Sequence, residues 1–521
     1  MPSNGRSRIA VTAAIVLMAF AIGSAERAVA AEWPYYDDRT WQRITVPGAS
    51  CGNGTPFRFW FSQSVGDPGS DRVFMWMRGG GSTWVGRDGT LTTPINSLAR
   101  LDGRLNAGSN TRPPSGPGLF IDHRANDGFI GDAQWVYLPY CTQDWHSGTR
   151  AAPTTYDFTD SELAADVART LNGGRDGGDC GLAPTPGQLQ AQHHIVVLDV
   201  TGACPNVTVT RLEVEIRHRG AINFEAAMPL IEQRLYAAGV DPDQIDVLLG
   251  GGSAGAFGAW YNARSIGDSI YGRPGARLTI LPMAGSPIDH YWDAGKEQLT
   301  LDADHLADVQ RQLGQYGTEL PCTVAGGAYS PAEGDRCYDV ADLAAHYLDR
   351  WPGLDLSIVP VINKEDDIGV RQFVGESDEP GYGERLLAFC RTIHAYGYAL
   401  AALPRVYPWI GWLWSQEPPR SPQRVHVFGN AELLVPLSDP RLGPTHPSGD
   451  GMNGALAYIN SVAARTASSK LRPMVDQQLS LVIDRDDPAS GVDPGFSGEW
   501  GAPTRPSRRA TCHRPTSRSS G

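Results

Sequence analysis

Ile245-Asp246-Val247-Leu248-Leu249-Gly250-Gly251-Gly252-Ser253-Ala254-Gly255-Ala256-Phe257-Gly258 is an apolar run that ends in glycines, passes through one serine and continues into an alanine-rich segment. The first half has the composition of a buried strand and the second that of a helix. Between them lies Gly-x-Ser-x-Gly. A serine in so sharp a strand-to-helix turn takes a strained backbone, and its neighbours must lack bulky side chains. The turn lifts Oγ above the sheet, and the next amide, that of Ala254, faces any oxyanion formed on an attacked carbonyl. A phosphate-cradling loop would instead need Gly-x-x-x-x-Gly-Lys-Ser/Thr, and no lysine follows here. A dinucleotide fingerprint would need no serine and an acid after the next strand. Ser253 is therefore expected to be a nucleophile.

Working outward, apolar strand-like runs alternate with helical patterns. Val73–Met77 leads into Gly79-Gly80-Gly81, and Trp135–Leu138 into Pro139-Tyr140-Cys141. A helix is expected over Ile222–Ala238, then the strand and helix around Ser253, then strands at Leu278–Met283 and Ile358–Ile362. A long helix over Glu384–Leu403, a last strand at Arg424–Phe428 and a last helix at Asn453–Val462 complete the pattern. This order predicts an α/β fold of the α/β-hydrolase type: a mainly parallel sheet flanked by helices, with insertions at about 153–214 and 302–355. The catalytic domain is expected to span 31–502.

Arg6 and Arg8, the apolar run Ile9–Ile22 and the small-x-small Ala28-Val29-Ala30 read as a signal peptide cleaved near Ala30. The run is shorter than the ~20 residues that cross a bilayer, and no membrane span is expected in the mature chain. Secretion or delivery to a periplasm follows. The tail 503–521 is rich in Arg, Ser and Pro and is expected to be disordered. The formal charge is −13, and residues 1–30 carry Arg6, Arg8 and Arg27 against Glu26, so the mature chain is still more acidic. That argues against nucleic acid as a partner. The 8 cysteines suit disulfides in an exported protein, and none has Cys-x-x-Cys spacing, so no zinc site is expected. Cys180–Cys204 and Cys322–Cys337 are the expected local staples.

A serine needs a base, an orienting acid and an oxyanion hole. The acid should follow a strand after the elbow, and Ile358–Ile362 runs into Asn363-Lys364-Glu365-Asp366-Asp367. Asp366 and Asp367 are both candidates, with Asp367 favoured because an apolar helix-like start follows it. The base should come last in the order Ser, acid, His, and His446 in Gly443-Pro444-Thr445-His446-Pro447 meets that requirement. His426 falls in a strand, and His346 and His394 in helical patterns, which suits structural roles. Gly80 and Gly81, in a loop directly after a strand, supply the second amide of the oxyanion hole beside Ala254.

Taken together, Gly79-Gly80-Gly81 followed by an aromatic, Tyr140-Cys141-Thr142-x-Asp144-x-His146-x-Gly148, His218-Arg219-Gly220-Ala221-Ile222-Asn223 and Gly252-Ser253-Ala254-Gly255 resemble the pectin acetylesterase family. The resemblance extends, with gaps, from about Val73 to the last helix. It implies a secreted serine carboxylesterase with a Ser-Asp-His triad, no metal or organic cofactor, and an O-acetyl ester of a polysaccharide as substrate. Two alternatives stand beside it. Tyr407–Trp414, rich in aromatics, would suit a pocket for longer acyl chains, although such runs are more often core. A secreted binding protein of hydrolase fold with a decayed site would also carry these motifs.

Overall fold

The computed structural model describes residues 40–64, 67–106, 129–174, 180–288, 290–293, 295–296, 298–321, 337–363, 382–411, 414–415 and 423–424. Its centre is a 9-stranded sheet built from β1 (Trp41–Ser50), β2 (Pro56–Ser62), β3 (Arg72–Met77), β4 (Gln134–Leu138), β5 (Asp246–Gly252), β6 (Arg277–Met283), β7 (Asp355–Ile358), β8 (Val361–Asn363) and β9 (Trp409–Gly411). Neighbours follow the order β1-β2-β4-β3-β5-β6-β8-β9. Strand β2 runs antiparallel to β1 and to β4, and every other pairing is parallel. The chain is an α/β protein with a mostly parallel sheet.

Composition explains why the middle strands lie where they do. Every residue of β5 is buried, as are five of the six in β3. Strands covered on both faces read as unbroken apolar runs because no position has water to face. The helices are α1 (Leu98–Leu105), α2 (Glu162–Leu171), α3 (Pro186–His193), α4 (Gly220–Ala237), α5 (Ala254–Ile270), α6 (Ala303–Tyr316), α7 (Val340–Arg350) and α8 (Tyr382–Ala401). Helix α5 packs on β3, β5 and β6, and α7 packs on α5. The Tyr347 hydroxyl of α7 donates to the Trp260 carbonyl of α5 at 2.5 Å. Beyond it, Trp351 fills the space above Gly267, where any Cβ would collide with the indole.

A second, smaller core stands apart. Thr154–Asp157, Thr208–Ile216 and Ile195–Thr201 form a three-stranded antiparallel sheet, in that spatial order. It packs with α1, α2 and α3 around Leu101, Leu163, Val167, Leu189 and Leu212. The expected Cys180–Cys204 disulfide closes this unit. Cys337 is disulfide-bonded too, but Cys322 lies outside the described residues.

Two expectations change. The strand expected over Ile358–Ile362 is two pieces, β7 and β8, interrupted where Pro360 has no N–H for the ladder. The sheet position next to β8 belongs to β9, from an aromatic segment for which no strand was expected. Of the strand expected over Arg424–Phe428 only Arg424 is described, and Gln423–Arg424 pairs antiparallel with Trp414–Ser415. The signal peptide, residues 425–428, the helix expected at Asn453–Val462 and the tail lie outside the described residues. Among the described residues no helix is long and apolar enough to cross a membrane.

A disulfide that the sequence did not suggest joins Cys51, at the end of β1, to Cys141, beyond β4. It closes a loop with a sequence separation of 90, so its loss frees a large unfolded ensemble. Replacing both cysteines by alanine should lower unfolding stability by ~2–5 kcal/mol, read from urea denaturation at neutral pH.

Candidate active site

In an open α/β sheet the crevice forms where chain connections leave neighbouring strands in opposite directions. Here β3 connects onward to β4 on one side, whereas β5 connects to β6 on the other. The crevice therefore opens between the carboxyl ends of β3 and β5. Two segments enter it: Arg78-Gly79-Gly80-Gly81 after β3, and Ser253 after β5.

Ser253 sits at φ 55°, ψ −123°, a combination that a residue with a Cβ seldom adopts. Its N–H donates to the Met283 carbonyl at 2.9 Å and its carbonyl accepts from the Ala256 N–H at 2.8 Å, which holds the turn from both ends. The residue is half-buried, and its hydroxyl makes no cap bond to helix α5. Glycines make the turn possible. A Cβ on Gly251 would strike the Gly255 carbonyl, and one on Gly255 would strike the Met77 carbonyl. A Cβ on Gly79 would press on the Gly252 carbonyl and lie 2.9 Å from the Ser253 Cβ. The glycine loop thus lies directly against the serine. Ala254 opens α5, so its N–H is one of the donors that no carbonyl of its own helix can reach.

The glycine loop is held by its carbonyls. His146 Nε2 donates to Arg78 O at 2.8 Å, Arg104 Nη1 to Gly80 O at 2.7 Å, and the Tyr140 hydroxyl to Gly81 O at 2.8 Å. Behind these donors stands a buried polar cluster. Asp144 accepts from Thr142 Oγ1 at 2.6 Å, from the His146 N–H at 3.1 Å and from the Gly220 N–H at 2.7 Å. His218 gives its Nδ1 proton to the Thr142 carbonyl at 2.9 Å, and its Nε2 accepts from the Tyr156 hydroxyl at 2.6 Å. Burial pushes the Asp144 carboxyl up to about 6, against the pull of its donors. Burial likewise pushes His146 down to about 4 and His218 down to about 3, so both imidazoles are neutral near pH 7.

The structure thus sets the glycine loop, through Gly79, against the turn of Ser253, with Gly80 and Gly81 next in that loop and Ala254 opening α5. Asp366, Asp367, His446 and His426 lie outside the described residues. His346 and His394 fall within α7 and α8, as their helical setting predicts. Arg104, which touches the glycine loop from another element, belongs to no triad pattern, and Asp144, His146 and His218 carry a resemblance without a role attached to them. A legible signal existed in Thr142–Ser147, a mostly polar stretch soon after the apolar run Trp135–Leu138, which the fold buries completely.

The fold and this crevice define an α/β protein with a strained serine at the switch point of its sheet. No protein-family model matches the chain, and no curated protein matches it. Among solved structures, the Wnt deacylase Notum from Drosophila is similar in two crystal forms, at 16% identity and a TM-score of 0.43 in both. The match covers 72% of this chain and 85% of that chain in one form, and 71% and 84% in the other. At that TM-score the overlap is too loose to say anything of this chain's chemistry.

The buried histidines tie stability to pH. Their folded values lie below the ordinary histidine value, so their contribution is complete above about pH 6.5 and is lost as pH falls toward 4 and 3. Asp144 acts with the opposite sign: its raised carboxyl favours the folded state below about pH 4, and that benefit fades as pH rises through 6. His218→Gln, which keeps a donor and an acceptor, should make the rise of stability between pH 4 and 6.5 shallower, by up to ~1.4 kcal/mol per pH unit. Urea unfolding of both proteins across that range measures the difference.

Proposed function

We propose that this protein is an exported serine carboxylesterase of α/β-hydrolase architecture, with Ser253 as its nucleophile. The observation that carries this is the Ser253 backbone, held at a positive φ between β5 and α5, with Gly252 directly before it and Gly255 two residues after. Strain of that kind persists only where the surroundings over-determine it, and it gathers at working sites. Strand order supports the same reading: the second strand is antiparallel, the serine follows the fifth, and the glycine loop follows the third. The disulfides Cys51–Cys141 and Cys180–Cys204 support export, because such bonds persist in oxidising compartments.

The reaction runs in two steps. His446 takes the Ser253 proton as Oγ attacks the ester carbonyl, and Asp367 or Asp366 orients the imidazole and stabilises its charged form. The amides of Ala254 and of Gly80 or Gly81 hold the oxyanion. The alcohol leaves with the proton from His446. A water activated by the same histidine then releases the acid and frees the serine. No step calls for a metal or an organic cofactor. The substrate is an O-acetyl ester of a polysaccharide, a choice that rests on the pectin acetylesterase-like motifs. The interlocking of Asp144, His146, Gly148, His218 and Gly220, the residues of two of those motifs, supports it.

Hydrolysis of p-nitrophenyl acetate by the exported chain, with Ser253→Ala beside it, tests this directly. The variant should lose ~10³-fold or more in kcat while keeping its unfolding midpoint, and a fluorophosphonate should label only the wild type, at Ser253. Near-normal turnover by folded Ser253→Ala would remove the serine from this role. A folded wild type that neither turns over nor labels would leave a binding protein of hydrolase fold.

A further inference from the structure

We propose that Arg104 is a positioning residue for the oxyanion hole, acting through the Gly80 carbonyl on the N–H of Gly81. The inference rests on the esterase reading of Ser253. Its basis is the geometry of one peptide unit. In a trans peptide the C=O of one residue and the N–H of the next point in opposite directions. Arg104 Nη1 takes hold of the Gly80 carbonyl at 2.7 Å from the last turn of α1, so the Gly81 N–H is turned to the far side, away from that helix. A cation on the oxygen of an amide also polarises it and strengthens its N–H as a donor.

Three further observations set Arg104 apart from an ordinary structural arginine. The first is fit. A Cβ on Gly80 would come within 2.5 Å of Arg104 Nη1 and 2.7 Å of the Tyr140 ring, so only glycine leaves room for the guanidinium to reach the loop. The second is charge. Among the described residues no carboxylate pairs with Arg104, although burial and the guanidiniums of Arg100 and Arg78 all work against its charged form. An arginine cannot shed that charge, so among the described residues Arg104 is a cation with no carboxylate partner, one peptide away from where negative charge would develop. The third is division of labour. The Arg78 and Gly81 carbonyls of the same loop are held by neutral groups, a His146 imidazole and a Tyr140 hydroxyl. Arg104 is the one cation among the three clamps.

Kinetics of the full exported chain on p-nitrophenyl acetate, comparing wild type with Arg104→Met, Arg104→Gln and Arg104→Lys, test the proposal. Arg104→Met keeps the stem and loses the charge. Its kcat should fall ~10–100-fold while KM stays within ~3-fold, because the contribution is made to the transition state. The Ki of phenylboronic acid, which forms a tetrahedral adduct on a serine, should rise by a similar factor. Arg104→Lys should recover part of the loss, and Arg104→Gln should lie between Met and Lys. A purely structural arginine would lower the unfolding midpoint and leave kcat per folded molecule unchanged. Wild-type kcat in folded Arg104→Met, or in folded Arg104→Gln should the Met variant fail to fold, would overturn the inference alone. A wild type that is folded yet inert toward both ester and fluorophosphonate would overturn the esterase reading, and this inference with it.

Discussion

Backbone meets backbone where β3 and β5 end, and no Cβ fits between them. Gly251 faces the Gly255 carbonyl, Gly255 faces the Met77 carbonyl, and Gly79 faces the Gly252 carbonyl. Everything near the crevice depends on that closeness. It seats the first turn of α5 directly on β3, and it lets the glycine loop touch the serine turn without an intervening side chain. It also surrounds Ser253 with groups that cannot yield, which is how a residue with a Cβ is kept at a positive φ.

The second support is polar and buried. Asp144 is fully enclosed, yet three donors converge on it, two from its own loop and one from the start of α4. A buried carboxylate without such donors would be costly, and with them it becomes a rigid joint. The joint orders the loop that carries His146, and His146 reaches Arg78 in turn, at the root of the glycine loop. Asn262 of α5 donates to the His146 carbonyl at 3.0 Å and closes the circuit back to the elbow helix. The two imidazoles do this work as neutral groups, since burial removes their tendency to charge. Their value lies in direction, one ring nitrogen for each partner.

The small second core is joined to this framework at the same place. Tyr156, in its first strand, reaches His218, and α1 supplies Arg104 to Gly80. Residues that look like an insertion in the rhythm of strands and helices therefore buttress the crevice. The Cys51–Cys141 bond adds a covalent tie between the edge hairpin and the loop that bears Asp144.

Local pattern was enough for the elements whose character is local. The apolar runs of β3, β5 and β6, the serine turn and helices α4 and α5 are each encoded within a few consecutive residues, because burial on both faces and the need for glycine act position by position. From those the α/β class and the pairing of Ser253 with the glycine loop were legible. Elements that depend on a distant partner were not. Pro360 divides β7 from β8, both of which align on β6, and β9 takes its place through pairing with β8. Asp144 and Gly220 are separated by 76 residues and Arg104 and Gly80 by 24, and neither contact leaves a periodic trace in the chain. The sequence by itself determined which strand and turn would carry the serine, because strain and close packing demand particular residues at particular positions. Only the tertiary structure decided which side chains hold the glycine loop, because a hydrogen bond to a backbone carbonyl can be made by any donor that the fold happens to bring within reach.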